Sequence, residues 1–244
     1  MLLEDLNWMD VEEYLKHDDR IILVTGSCEQ HGYLSLLTDV REPMAIAAAA
    51  AERENVLVAP PLNFGVSSYF AAYPGTISLS VETHNRVVCE IVSDLHRQGF
   101  KRVLVLNGHG GNAGMETALR ELINKLPGLR LTLHNWWKGP AAILFYAENK
   151  LPPAHANWSE NFPFTRVADV PSGDKPATGA TPYMPADEVR ARLGDGSFGG
   201  PYQVPDAVMQ RLFEVAVAKV VQLLASLRPR PFLKIRHNLP DLKD

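Results

Sequence analysis

The sequence predicts an α/β fold in which helices cover both faces of a mainly parallel β-sheet. Short apolar runs, such as residues 21–24 and 103–106, alternate along the chain with longer segments whose apolar residues recur at helical spacing. This alternation is typical of parallel strands joined by helical crossovers. No linker in the sequence is long enough to require two domains. We therefore expect a three-layer α/β/α sandwich that forms a single domain over residues 1–244.

Five short runs are predicted strands. Most of their residues are Val, Ile, Leu or Thr, which favour strands, and turn-forming residues follow several of them. In chain order these runs cover residues 21–24, 56–59, 76–79, 103–106 and 131–134.

Six segments are predicted helices, and the stretch before Ala154 has room for one more. The segment 43–53 is rich in Ala, the best helix former. The segment after Ser80 has apolar residues at helical spacing and stops at Gly99. In chain order the predicted helices cover residues 11–16, 43–53, 81–98, 115–126, 186–193 and 206–227.

The bulk composition excludes several classes of protein. With 46% hydrophobic and 21% charged residues, the chain can bury a core and is not expected to be disordered. A net charge of −4 argues against a general nucleic-acid binder. No run is long and apolar enough for a membrane-spanning helix, and the first residues do not resemble a signal peptide. Two widely separated cysteines, Cys28 and Cys89, do not suggest a disulfide framework, so we expect a cytoplasmic protein.

Polar residues that are costly to bury follow the first predicted strand. Glu29 and His31 come soon after residues 21–24, and Asp39 follows after a loop. Glu29 and His31 are two residues apart, so on an extended segment they point the same way. A divalent metal ion is a common partner for carboxylate and imidazole groups. This stretch therefore predicts a metal site.

Two further loops carry residues of the same types. His109 lies in a glycine-rich turn after the strand at 103–106, and His155 and Glu160 lie in a later loop. Ligands of open α/β sheets bind outside the carboxyl ends of the strands, so these loops can meet Glu29. The residues suffice either for two metals bridged by a carboxylate or for one metal with a general acid or base.

Other interpretations of these residues remain open. Glycine-rich turns that begin helices can bind phosphate, although this one lacks the Lys-Ser/Thr of a P-loop. Cys28 could be a nucleophile, but a small buried cysteine is the more ordinary interpretation. Trp136, Trp137 and Trp158 could line a substrate pocket or simply pack, and Trp158 is favoured for the pocket because it lies between His155 and Glu160. Tyr73 is a further candidate for the pocket.

Taken together, several motifs resemble the creatininase family. The stretch Gly26-Ser27-Cys28-Glu29-Gln30-His31-Gly32 and the later Thr38-Asp39 are similar to one family signature, E-Q-H-G-P-H-L-P-L-x-T-D. Residues 107–112 resemble the N-G-H-G-G-N turn, and residues 155–160 the H-A-G-x-x-E segment. Residues 73–78 and 194–200 also fit. The resemblance covers residues 20–203, and the C-terminal helix and tail at 204–244 lie beyond it.

The resemblance implies a three-layer fold, a homohexamer and two divalent metal ions per chain, Zn²⁺ or alternatively Mn²⁺ or Fe²⁺. The implied reaction is hydrolysis of a carbon–nitrogen bond in a small cyclic amide or formamide by a metal-activated water. His155 would carry the proton. The implied metal ligands, with Asp39 as the bridge, are Glu29, His31, Asp39, His109 and Glu160.

The chain departs from the family pattern in ways that affect the substrate. The segment between His31 and Asp39 is one residue shorter, with Tyr33 and Leu34 in place of the second His. Gly111 stands where creatininase proper has a glutamate, which argues against creatinine as the substrate. Two alternatives are a hydrolase that opens a cyclic ketone ring, and a non-catalytic metal- or phosphate-binding protein.

Overall fold

The computed structural model describes residues 1–178 and 183–228. Its central sheet contains four parallel strands. Their order across the sheet is β2-β1-β3-β4, and Thr25 at the end of β1 pairs with Asn107 at the end of β3. The strands are β1 (Arg20–Thr25), β2 (Leu57–Val58), β3 (Arg102–Asn107) and β4 (Arg130–Asn135).

Seven helices surround the sheet and its loops in the described part of the chain. They are α1 (Trp8–Leu15), α2 (Thr38–Glu54), α3 (Val81–Gln98), α4 (Met115–Ile123), α5 (Pro140–Asn149), α6 (Ala186–Leu193) and α7 (Asp206–Leu227). A small antiparallel pair joins β5 (Asp174–Lys175) to β6 (Gly200–Pro201). No helix among residues 1–178 and 183–228 combines the length and apolar character needed to cross a membrane.

The alternation of side chains along the strands builds a core on each face of the sheet. Ile22 and Leu104 pack on one face with buried residues of α2, α5 and α7. Ile21 and Val103 pack on the other face with buried residues of α1, α3 and α4. The three-layer α/β/α sandwich and the single domain predicted from the sequence are therefore confirmed.

Two predicted elements differ from the structure. Residues 76–79 do not form a strand of the sheet; Ile77 makes only one isolated antiparallel bridge, to Cys28, and is half exposed. The residues of this segment are typical of a strand, but the segment lies in a loop and pairs with its neighbour only at Ile77. The second difference is that α2 begins at Thr38, five residues before the predicted start at residue 43.

The early start of α2 matters because it places Asp39 in the first helical turn. Pro43 lies inside this helix and has no N–H to donate to the carbonyl of Asp39. The backbone of Gly108, just after β3, approaches this carbonyl so closely that a Cβ at Gly108 would overlap it. The start of α2 and the end of β3 are thereby packed directly against each other.

Candidate metal centre

The site forms where β1 and β3 end side by side. Two hydrogen bonds hold the turn after β3 in place. The hydroxyl of Thr25 donates to Oδ1 of Asn107 (3.0 Å), and Nδ2 of Asn107 donates to the carbonyl of His109 (2.7 Å). His109 follows β3 by two residues, and Glu29 follows β1 by four. Adjacent parallel strands thus deliver an imidazole and a carboxylate to one place.

Five of the predicted site residues lie close together and form two groups of three potential metal ligands, with one residue common to both groups. Glu29, Asp39 and His109 form one set, in which one potential ligand atom of each residue lies within 4.8 Å of the others. His31, Asp39 and Glu160 form the second set by the same measure. Asp39 is the residue that the two sets share. The shorter segment before Asp39 therefore still brings its carboxylate between the two histidines.

The carboxylate of Asp39 lies between the two imidazoles. Its Oδ1 is 3.1 Å from His31 Nε2, and its Oδ2 is 2.7 Å from His109 Nδ1. The second contact lacks hydrogen-bond geometry, so Oδ2 has no hydrogen-bond donor. On either side, Glu29 Oε1 is 3.4 Å from His109 Nδ1, and Glu160 Oε2 is 3.8 Å from His31 Nε2.

Backbone carbonyls orient the two imidazoles toward this centre. His31 Nδ1 lies 3.1 Å from the carbonyl of Glu29, which leaves Nε2 facing Asp39. His109 Nε2 lies 2.9 Å from the carbonyl of Val66, which leaves Nδ1 facing Asp39 and Glu29. A ring nitrogen bonded to a carbonyl is the usual means by which proteins fix the tautomer of a histidine ligand. Each ring thus directs its other nitrogen toward the shared carboxylate, where a cation would displace any proton that this nitrogen carries.

The electrostatics of the cluster require additional positive charge. Glu29 and Asp39 are almost fully buried, and Oε2 of Glu29 has no hydrogen-bond partner. Among the described ion pairs, no lysine or arginine contacts these carboxylates or Glu160. Buried charges are normally paired or bound to metal. The orphaned oxygens and the donor set of carboxylates and imidazoles therefore fit divalent cations.

The pKa values of these groups also indicate that the buried carboxylates lack compensating positive charge. Burial raises the pKa of both Glu29 and Glu160 to about 7. Burial alone would lower the pKa of His31 and His109, but the neighbouring carboxylates outweigh it and raise these pKa values to about 10 and about 9. Burial opposes ionisation of Asp39, but the two imidazoles hold its pKa below the usual range. The cluster therefore binds protons that divalent cations would displace.

His155 lies beside the two sets but belongs to neither of them. Its Nδ1 is 3.7 Å from Glu29 Oε1, and its ring lies 4.4 Å from the ring of His31, centroid to centroid. On the opposite side it stacks on Phe70, with centroids 4.4 Å apart. His155 also forms a third grouping of potential ligand atoms with Glu29 and His31. Its position suits either a proton carrier or an extra ligand.

A cavity of about 650 Å³ opens onto the metal centre and His155. Its floor is polar, and the walls are largely aromatic. Those walls include Tyr69, Phe70, Trp136, Trp137, Tyr146 and Phe198. Of the predicted pocket residues, Trp136 lines this cavity as expected.

Tyr73 and Trp158 do not line the cavity, which corrects the predicted pocket. Trp158 is fully buried in the core, edge-on to Tyr146, and donates its indole N–H to the carbonyl of Pro152 (3.0 Å). Tyr73 packs in a separate small cluster with Phe70, where its ring lies under the guanidinium of Arg190. Ser159, next to Trp158, lines the cavity, but the side chains of Trp158 and Tyr73 point into packed regions.

Several residues in or beside the site had no signal in the sequence. Phe70 and Phe198 come from loops with no recognised pattern, yet both contact His155. Glu42 is a buried carboxyl one helical turn after Asp39, and burial raises its pKa well above the usual value. Because the predicted helix began at residue 43, the sequence indicated neither the helical spacing from Asp39 to Glu42 nor the burial of Glu42.

The glycine-rich turn packs closely against its neighbours. A Cβ at Gly111 would overlap the carbonyl of Val66, so glycine is needed there for close backbone packing. The side chain of Asn112 donates to the carbonyl of Gly26 (3.1 Å) and ties the turn to β1. These glycines therefore bring His109 into place.

Comparison with known proteins identifies the family. The family model "Creatininase: Creatinine amidohydrolase" matches residues 4–224. The chain is 32% identical to creatinine amidohydrolase of Pseudomonas putida over 155 residues, which are 57% of this chain and 60% of that protein. It is 32% identical to the mycofactocin precursor peptide peptidase of Mycolicibacterium smegmatis over 38% of this chain and 40% of that protein. The matched part thus spans less than two thirds of either relative.

Solved structures show the same fold over nearly the whole chain. A crystal structure of creatinine amidohydrolase superposes with a TM-score of 0.80 at 23% identity, covering 94% of this chain and 98% of that one. A structure described as creatininase with Mn gives a TM-score of 0.78 at 26% identity, covering 93% and 99%. Sequence profile, fold and the convergence of the family motifs at one cavity agree: the chain belongs to the creatininase family.

Proposed function

We propose that this chain is a metal-dependent hydrolase that cleaves a carbon–nitrogen bond in a small cyclic amide or formamide by means of an activated water. The observation that carries this proposal is the position of Asp39, which belongs to both sets of potential ligands. One carboxylate between two such sets is the arrangement expected of a site for two neighbouring cations. The cavity beside it provides room for a substrate.

The proposed cofactor is a pair of divalent ions per chain, with Zn²⁺ first and Mn²⁺ or Fe²⁺ as alternatives. Imidazole and carboxylate donors suit all three metals. Glu29 and His109 would hold one ion, His31 and Glu160 the other, and Asp39 would bridge them. Divalent ions in such sites acidify water and polarise a carbonyl group.

The chain's own residues would then orient the substrate and handle the proton. His155 is placed to hold a proton at Nδ1, which faces Glu29 at the cavity floor. Phe70 and Phe198 cover the other sides of its ring and exclude water from it. Trp136 and Trp137 also line the cavity and offer aromatic surface to an amide substrate.

A hydrolysis screen tests the proposal. The zinc-loaded protein is offered lactams, cyclic imides, formamides, short peptides and cyclic ketones, and products are detected by mass spectrometry. The metal-chelated protein and His155→Ala are the controls. We expect turnover of at least one amide by the zinc-loaded protein and little by either control. Turnover that persists after chelation would refute the metal-dependent mechanism.

Ring opening of a cyclic ketone is the second candidate function. The chain is 26% identical to the 3-dehydro-scyllo-inosose hydrolase of Thermotoga maritima over 144 residues, which are 55% of this chain and 44% of that protein. Peptides are included because a cavity of about 650 Å³ is in the range that binds drug-sized ligands. The product masses from the screen distinguish these substrates.

We also propose that the protein is a cytoplasmic homohexamer that acts on small molecules and binds neither nucleic acid nor membrane. Cys28 and Cys89 are both free thiols, which supports a reducing compartment. Light scattering of the purified protein tests the hexamer, and a mass near 27.0 kDa, that of a single chain, would contradict it.

A further inference from the structure

We propose that Gln30 is a positioning residue for His155: its side-chain amide places the single proton of the neutral ring on Nδ1 and so keeps His155 out of the metal ligand set. The inference rests on the proposed function only where it assigns His155 to proton transfer. The tautomer itself follows from contacts on the side of the ring that faces away from the metal centre.

Two backbone groups fix the orientation of the Gln30 amide. Its Oε1 accepts a hydrogen bond from the N–H of Gly32 (3.1 Å), and its Nε2 donates one to the carbonyl of Gly196 (3.1 Å). Rotating the amide by half a turn would place donor against donor at one end and acceptor against acceptor at the other. The amide is therefore held with its NH₂ group toward His155.

The second hydrogen of this NH₂ group is directed at His155. Gln30 Nε2 lies 2.8 Å from His155 Nε2, a distance that suits a hydrogen bond only if the ring nitrogen is an acceptor. A neutral imidazole that accepts at Nε2 carries its proton on Nδ1. The backbone carbonyl of Gln30, 3.0 Å from the same nitrogen, is the competing partner that would accept from a protonated Nε2.

The ring of His155 is confined on its other sides. Phe70 stacks on one face, and the Phe198 ring lies 5.2 Å away, centroid to centroid. The N–H of Phe198 donates to the carbonyl of His155 (3.0 Å), so the segment that carries Gly196 also holds the backbone of His155. A flip of the ring would exchange Nε2 with Cε1 and Nδ1 with Cδ2, so a carbon would face the Gln30 amide and the hydrogen bond would be lost.

The tautomer decides what His155 can do. Its Nδ1 is 3.7 Å from Glu29 Oε1, and His155 forms a grouping of potential ligands with Glu29 and His31. Only a nitrogen with a free lone pair can bind a metal, so a proton on Nδ1 excludes His155 from ligation. The Nδ1–H group is then a hydrogen-bond donor for a substrate atom in the cavity.

The glycine-rich segment at residues 194–200 makes room for the Gln30 amide. Gly196 has a positive φ of 96°, and a Cβ at this position would overlap Oε1 of Gln30. Glycine at 196 is therefore needed to let the Gln30 amide lie between Gly32, Gly196 and His155.

Nitrogen NMR of the zinc-loaded protein, with ¹⁵N-labelled histidine rings, tests the proposal directly. The His155 signals are assigned by their loss in His155→Ala. We expect the wild-type ring to be protonated at Nδ1 and bare at Nε2. Gln30→Met keeps the side-chain length but leaves only the backbone carbonyl at Nε2, so the proton should move to Nε2. Gly196→Ala should cause the same change through displacement of the amide.

The matched control is Gln203→Met, which removes an exposed amide that hydrogen-bonds backbone carbonyls of the Pro171 segment. It should leave the His155 signals unchanged. A wild-type ring protonated at Nε2, or an unchanged tautomer in Gln30→Met, would overturn the inference.

Two further readouts separate this role from a merely structural one. X-ray absorption at the zinc edge should show more imidazole ligands per zinc in Gln30→Met than in the wild type, because Nδ1 of His155 becomes free. On a substrate found by the screen, kcat should fall roughly 10- to 100-fold, with a much smaller change in KM. If the NMR result is as expected but no substrate is hydrolysed, the proposed function fails and the positioning role stands.

Discussion

Asp39→Asn is the most informative single substitution, because it removes one carboxylate from both candidate metal sites at once. The side chain keeps its size, so the packing of α2 against the turn at Gly108 should be preserved. Each site would retain only two of its three protein ligands. Changes to residues behind the ligands typically weaken metal binding 10- to 100-fold, so we expect loss of a direct ligand to cost at least about 100-fold at each site.

The expected magnitude can be expressed as thermal stability. Zinc at about 100 times its dissociation constant stabilises a site by about 2.7 kcal/mol, or about 5 kcal/mol for two sites. For a chain of this size, 1 kcal/mol corresponds to about 2–4 °C in Tm, so zinc should raise the wild-type Tm by about 10–20 °C. With affinities about 100-fold weaker, the same zinc concentration gives about 0.8 kcal/mol and about 2–3 °C.

The assay is calorimetry with and without zinc, together with elemental analysis of protein purified without chelator. Glu42→Gln is the matched control, because Glu42 is a buried carboxyl on the same helix that belongs to neither ligand set. It should keep close to two metals per chain and the full rise in Tm. The reasoning is refuted if Asp39→Asn also keeps both metals and the wild-type response to zinc.

Three other substitutions test separate parts of the structure. His155→Ala should keep both metals and lower kcat by about 10²–10⁴-fold, measured by elemental analysis and steady-state kinetics; loss of metal would make it a ligand instead. Trp158→Ala should reduce the free energy of unfolding in urea by about 3–5 kcal/mol, and a loss below about 1 kcal/mol would contradict its core position. Burial, aided by Lys219, lowers the pKa of His134 from 6.5 to about 4, so its proton is bound more strongly in the unfolded chain. Stability should therefore fall by about 2 kcal/mol between pH 7.5 and pH 5 through this group, and His134→Asn should remove that part of the pH dependence in urea titrations.

The sequence could predict much of the fold because its layers are built from local patterns. The apolar runs of β1 and β3 and the Ala-rich segment of α2 determine which faces are buried. The beginning of α2 was less visible, since Pro43 is itself typical of a helix start. Only the packing of Gly108 against the carbonyl of Asp39 shows why the helix begins earlier.

The candidate metal centre was predictable to the extent that it depends on side-chain chemistry. Glu29, His31 and His109 stand after apolar strands, where such groups need a partner. The cavity wall was not predictable in this way, because an aromatic residue in a loop can face the core or the cavity. Trp158 faces the core and Phe70 the cavity, and only the path of the loops in space distinguishes them.

The central claim is that two cations share Asp39, and anomalous diffraction from crystals of the zinc-loaded protein tests it most directly. We expect two zinc peaks per chain, one beside Glu29 and His109 and the other beside His31 and Glu160, each within bonding distance of Asp39. A single peak, or two peaks of which one does not contact Asp39, would contradict the claim.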